Sequence, residues 1–167
     1  AVDDAPSIIA PATVTLAEDA SLAFTAANAI SVTDVDGDLA TIRLTVTQGT
    51  LTVHLVDNGL IAAGANSSAT LTLSGPSAQT AAALATLIYA PIPDYHGADT
   101  LTIVATDSTA HTATSSVALT ITAVADAVPD VLTTAEDTVL IANVLTGANG
   151  ASTDTFAGPA ATIIEVT

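Results

Sequence analysis

Apolar and polar residues alternate with a period of two along much of this chain, the signature of strands with one buried face. In 41–47, TIRLTVT, Ile42, Leu44 and Val46 share one side, and Thr41, Arg43, Thr45 and Thr47 the other. In 100–105 the inward set is Leu101, Ile103 and Ala105; in 117–123 it is Val117, Leu119, Ile121 and Ala123. Shorter strands are expected at 12–16 (Val14, Leu16), 21–25 (Leu22, Phe24), 50–55 and 69–73 (Leu71, Leu73). One apolar face against one threonine face predicts an all-β, antiparallel arrangement with a wet side. The exception is 77–88, SAQTAAALATLI, where Ala81, Leu84, Leu87 and Ile88 are spaced for one side of a short helical turn.

Turn residues punctuate the pattern at Asp36-Gly37-Asp38, Gln48-Gly49, Asp57-Asn58-Gly59, Ser74-Gly75-Pro76 and His96-Gly97. Short strands at this spacing predict a β-sandwich of immunoglobulin-like type. The pattern then starts again. Val14-Thr15-Leu16-Ala17-Glu18-Asp19 has a counterpart in Val131-Leu132-Thr133-Thr134-Ala135-Glu136-Asp137, and VDDAPS at 2–7 has one in VADAVPD at 124–130. This internal repeat divides the chain into a sandwich at 1–125 and, at 126–167, a linker with a partial second copy. Strands in that copy are expected at VLTTA, TVLIANVL and ATIIEVT. Three strands bury a core poorly alone, so this segment is expected to be truncated or to pair with another chain.

Charge sharpens the picture. One Lys or Arg stands against 17 Asp and Glu, a formal net charge of −16. Nucleic acid and anionic membrane surfaces both require basic patches and are not expected partners. No run of about 18 apolar residues predicts a membrane span, and the opening AVDDAPS lacks the basic and apolar regions of a signal peptide. The chain therefore reads as an excerpt of a longer protein, or as a mature form whose address lies elsewhere. Without cysteine there is no disulfide framework, and staples of another kind are expected.

The stretch SVTDVDGD at 31–38 places Asp34, Asp36 and Asp38 within five residues, between apolar strands. In a sandwich of this type their loop, the loop beginning at Asp107, and the entering Asp3 and Asp4 meet at one pole. Glu18, Asp19 and the linker's Asp126 belong to the other. Oxygen-only clusters suit a hard cation, and Ca²⁺, with six to eight oxygen ligands and tolerant geometry, is the expected cofactor. Gly37 allows the turn that faces the flanking carboxylates inward. The loop is not an EF-hand: counted from Asp34, glycine is fourth rather than sixth, and Thr45 takes the twelfth position where glutamate is required. The plain alternative is a solvated acidic turn.

Enzymatic chemistry is not expected. His54, His96 and His111 are separated along the chain and read as ordinary strand or turn histidines, not a zinc centre. No nucleophile elbow or phosphate-binding loop occurs. Asp94 and Asp99 flank Tyr95-His96-Gly97, but two Tyr and two Phe in the whole chain leave no aromatic platform for sugar. Tyr89 is expected to close the helical turn, and Tyr95 to be a corner tyrosine bonded to backbone. Arg43 is expected to pair with an acidic neighbour.

Several stretches together resemble the cadherin-like, immunoglobulin-like tandem repeats of giant type I-secreted bacterial surface adhesins. They are VDDAPSI at 2–8, Glu18-Asp19, DVDGDL at 34–39, AALATLIYAPIPDYHGADTLTIVATD at 82–107, and VALTITAVADAVPD at 117–130. The resemblance implies an extracellular extender domain at the bacterial cell surface, serving adhesion and biofilm formation. Its partners would be neighbouring repeats of the same protein, with calcium at the linkers stiffening the array and no catalysis. The linker departs from that pattern at Val124-Ala125-Asp126, where Asn more often precedes the Asp, and the second copy has no DxDGD. Two other roles fit the same domain: a subunit of a filament or surface layer completed by strand exchange between copies, and a sugar-binding module.

Overall fold

The computed structural model describes residues 3–55 and 59–126, together with 133, 135–137, 139, 141 and 155–156. The chain divides into two compact units, Ala1–Thr122 and Ala123–Thr167. The first unit runs β1 (Ser7–Ile9), β2 (Thr13–Ala17), β3 (Leu22–Ala23), β4 (Ser31–Thr33), β5 (Leu39–Thr45), β6 (Gly49–Thr52), β7 (Leu60–Gly64), β8 (Thr70–Ser74), α1 (Ser77–Leu84), β9 (Ile88–Pro91), β10 (Gly97–Asp107) and β11 (Thr112–Thr122). A single 3-10 turn at Ala26–Asn28 precedes β4.

One sheet has six strands in the order β2-β11-β10-β5-β8-β7. Across from its apolar face lie the three-stranded sheet β3-β9-β6 and the pair β1-β4. The all-β immunoglobulin-like sandwich expected from the alternation is the fold observed. Ile42, Leu44, Leu71, Leu73, Leu101, Ile103 and Val117 are fully buried between the layers, each contributing about 1.5 to 3 kcal/mol of transfer free energy.

Pairing is antiparallel except where β2 lies parallel to β11, with Val14 opposite Leu119 and Leu16 opposite Ile121. The entering chain causes this. It pairs first with β4 as β1, breaks at Pro11, which has no N–H to continue a ladder, and crosses to the far edge. There it runs in the direction of the last strand.

The helical segment is real, but its inward stripe differs from the expected one. Thr80, Ala83 and Leu84 are its buried residues, followed by buried Leu87, whereas Ala81 and Ile88 face outward. The helix ends at Leu84, so Ile88 already belongs to β9 and alternates with buried Tyr89. Tyr89 therefore sits within a strand of the core rather than closing the helical turn. Gly49 is required beside it, because a Cβ there would stand 2.5 Å from the Tyr89 ring and from the Ala90 carbonyl oxygen. Ala123, expected inward, is exposed just past the end of β11.

In the second unit, β12 (Ala125–Asp126) pairs antiparallel with β13 (Thr155–Phe156). The strands expected around 131–135, 138–145 and 161–167, and most of the turn at 57–59, lie outside the described residues apart from isolated positions.

Candidate cation site

Strand β10 carries the decisive pattern. Asp99, Leu101, Ile103, Ala105 and Asp107 all point inward and are all buried. Apolar side chains fill the middle of that face, and an aspartate closes each end. Burying a carboxylate is costly unless its oxygens are hydrogen-bonded or meet a positive charge.

At the Asp107 end, three carboxylates share the same design. Asp34 Oδ1 accepts the backbone N–H groups of Asp36 and Gly37 at 3.0 Å and of Asp38 at 3.4 Å, which closes the acidic turn. Gly37 has φ of 75°, the left-handed conformation this turn needs. Asp38 Oδ2 accepts the Ser108 hydroxyl, while its own carbonyl accepts the Ser108 N–H at 3.1 Å, tying this loop to the β10–β11 turn. Asp107 Oδ1 accepts the N–H groups of Thr109 and His111 at 2.9 Å and the Thr109 hydroxyl at 3.1 Å.

One oxygen of each carboxylate is thus committed, in Asp34 and Asp107 to the backbone of its own turn and in Asp38 to the neighbouring one. The other is left over: Asp34 Oδ2, Asp38 Oδ1 and Asp107 Oδ2 are buried and accept no hydrogen bond. Asp34, Asp38 and Asp107 bring one carboxylate oxygen each within 4.8 Å of one another. Burial pushes the Asp107 carboxyl up, but the N–H groups of His111 and Thr109 outweigh it and hold it below the usual carboxylate range. It is therefore ionised at neutral pH.

The remaining acidic residues expected at this pole are also here. Asp36 Oδ2 accepts the N–H of Asp4 at 2.8 Å. Asp3 Oδ2 accepts the Thr109 hydroxyl and lies 2.6 Å from His111 Nδ1. Glu18 and Asp19 lie at the other end of β2 and β11. The Glu18 N–H donates to Thr122 O at 2.9 Å, and its Oε2 stands 3.6 Å from His96 Nδ1. Asp19 Oδ1 accepts the Asp94 N–H at 3.3 Å. Asp126 belongs to the second unit, where it pairs with Thr155.

Three residues have roles other than those the sequence suggested. His111 is not an isolated turn histidine: Asp107 N–H donates to its carbonyl, and the tight turn returns its ring to Asp3 and Asp107. The contact with Asp3 lifts His111 above the ordinary imidazole range, against the effect of burial and with Asp107 adding to it. The spacing Asp107-Ser108-Thr109-Ala110-His111 at the end of a strand was the available signal. Asp99 is a structural clamp, accepting the N–H of Thr47 at 3.0 Å, of Gln48 at 2.9 Å and of Thr100 at 2.7 Å, with the hydroxyls of Thr47 and Tyr89. Arg43, expected beside an acid, faces Val104 and Thr72 across its strand neighbours. The corner role of Tyr95 is as expected, its hydroxyl donating to Ala98 O at 2.7 Å.

The sequence profile of the family described as Bacterial Ig domain matches residues 3–120, nearly the whole first unit. The chain belongs to this family. Bacterial Ig domains are structural, non-catalytic folds and typically extracellular, so the buried aspartates of this one are read as structural rather than as an acid/base pair. Comparison with curated proteins gave no match. Among the described residues, no helix is long and apolar enough to cross a membrane.

Proposed function

We propose that this bacterial Ig domain is an extender repeat of an extracellular adhesin, held rigid by calcium at the pole formed by Asp34, Asp38 and Asp107. One observation carries the reading: Asp34, Asp38 and Asp107 each bring a carboxylate oxygen within 4.8 Å of the others, and each has one buried oxygen that accepts no hydrogen bond while its sister oxygen is committed to loop backbone or, in Asp38, to the Ser108 hydroxyl. The chain's one Lys or Arg, Arg43, lies on β5 among threonine and valine and supplies no charge to the cluster; the basic group beside it is the His111 imidazole, 3.3 Å from Asp107 Oδ2.

The β4–β5 loop and the β10–β11 turn, which repel one another when empty, become cross-linked by an ion bound to Asp34 Oδ2, Asp38 Oδ1 and Asp107 Oδ2. Calcium takes six to eight oxygens. Asp3, Asp4 and Asp36 at the rim, water, or an acidic residue of the preceding repeat would supply the rest. A load-bearing array gains stiffness because the entering segment and two loops are fixed at the junction. Adhesion and biofilm formation are the biological setting in which such an array is useful.

The test is thermal unfolding of the chain with calcium and with excess chelator, each followed by small-angle scattering. At a concentration a hundredfold above Kd, calcium adds about 2.7 kcal/mol. That is a rise in Tm of about 10 °C for a domain of this size. Equal melting temperatures in calcium and chelator would overturn the reading.

A further inference from the structure

Beside the three-aspartate cluster lies a second group with different chemistry. Asp3, Asp107 and His111 bring two carboxylate oxygens and an imidazole nitrogen within 4.8 Å of one another. His111 Nδ1 is 2.6 Å from Asp3 Oδ2 and 3.3 Å from Asp107 Oδ2. The Asp107 side chain is fully buried, and that Oδ2 accepts no hydrogen bond. The Thr109 hydroxyl stands 3.0 Å from the same Nδ1. Donors around a tetrahedral zinc, each about 2.0 to 2.1 Å from the metal, stand roughly 3.3 Å apart. The Asp107–His111 pair already has that separation, and the Asp3–His111 pair, at 2.6 Å, needs to open by about 0.7 Å.

We infer that Asp3, Asp107 and His111 form a separate site for a divalent transition ion such as zinc, next to the oxygen-only site and sharing Asp107 with it. An imidazole nitrogen is a poor ligand for calcium and a good one for zinc, so the two groups sort ions by chemistry. Three protein ligands leave the fourth zinc position to water or to the Thr109 hydroxyl. The consequence is local. Asp3 sits on the entering segment and His111 at the β10–β11 turn, so an ion here pins the start of the domain to the sandwich without using Asp34 or Asp38. The inference shares Asp107 with the calcium reading but rests on a different donor set.

Titration calorimetry of the chelator-stripped chain, with zinc chloride and with calcium chloride in separate runs, tests it. His111→Gln should weaken zinc binding at least tenfold and leave calcium within about twofold, and Asp3→Asn should weaken zinc binding at least tenfold. Asp34→Asn should do the reverse. Zinc should also shift the His111 imidazole resonances while leaving those of His54 and His96 in place. Absence of zinc binding, or unchanged zinc affinity in His111→Gln, overturns the inference even where calcium binds normally. Zinc binding that depends on His111 in a chain that ignores calcium would uphold it and remove the calcium reading instead.

Discussion

Asp99 and Asp107 stand at the two ends of one strand, eight residues apart on the same inward face, and both are buried. The fold treats them in opposite ways. Around Asp99 both oxygens are occupied: Oδ1 by Thr47 and Thr100, Oδ2 by Gln48 and the Tyr89 hydroxyl. Around Asp107, Oδ1 is hydrogen-bonded, whereas Oδ2 accepts no hydrogen bond and has the His111 imidazole 3.3 Å away. A carboxylate that finds all its hydrogen-bond donors inside its own domain is a fastener. One that finds donors for a single oxygen, beside two others in the same condition, is equipped to meet a cation. Counting acidic residues does not distinguish these cases; following each oxygen to its partner does.

Replacing Asp99 should produce the largest effect on stability. Asp99→Ala leaves the N–H groups of Thr47 and Gln48 without their acceptor and the Tyr89 hydroxyl with the Gln48 carbonyl alone, at 3.2 Å, and a loss of about 3 kcal/mol is expected in urea unfolding. The variant should still gain stability from calcium. A loss under 1 kcal/mol would show that Asp99 is not the fastener described here.

Asp107→Asn should invert that outcome. It keeps the oxygen that accepts from Thr109 and His111 but removes the charge, so the calcium-dependent rise in Tm should vanish. In chelator the variant should lose no more than about 1 kcal/mol, because Asn keeps the accepting oxygen while weakening hydrogen bonds that favour the charge. A variant that melts well below the parent in chelator would instead mark Asp107 as a second fastener.

The pH dependence separates the same two sites. At Asp99, burial pushes the carboxyl up, but the hydrogen bonds from Thr47, Gln48 and Thr100 outweigh it and hold it below its ordinary value. A depressed carboxyl contributes stability above the unfolded pKa of about 3.9 and loses it as pH falls through the lower folded value. Unfolding below about pH 4 should therefore be less steep in Asp99→Asn. Tyr89 is pushed far upward, by burial first and then by Asp99. Its contribution is present below the unfolded pKa of about 10 and is lost as pH rises beyond it. The alkaline limb measured by circular dichroism should be shallower in Tyr89→Phe.

The smallest change is expected from Tyr95→Phe, which removes one hydroxyl donated to the Ala98 carbonyl at a partly exposed corner. About 1 kcal/mol should be lost in urea unfolding, with the calcium response intact. A loss of calcium response in this variant would break the separation between the two ends of β10.

The fold was legible where side-chain alternation is strict. Ile42, Leu44, Val46, Leu101, Ile103, Val117 and Leu119 all face the core as their spacing indicates. Short strands such as β1, β4 and β9 offer too few alternating positions to declare themselves, and the parallel pairing of β2 depends on an edge crossing that no local pattern encodes. The convergence of Asp3, Asp4, Asp34, Asp36, Asp38 and Asp107 at one pole followed from threading loops onto a sandwich. What stayed hidden was the division of labour within each carboxylate. Asp99 and Asp107 are the same residue on the same face of one strand, and only the donors brought by distant segments tell them apart. His111 was missed for a similar reason: its ring meets Asp3 across more than a hundred residues of chain.

The most direct test of the central claim is a calcium titration followed by amide resonances. Saturable shifts are expected in the N–H signals of Asp36, Gly37, Asp38, Thr109 and His111, with those of Thr47, Gln48 and Thr100 around Asp99 unmoved. No shifts in the first group, or equal shifts at exposed acidic positions such as Asp19 and Asp94, would contradict it and leave the acidic loop an ordinary turn.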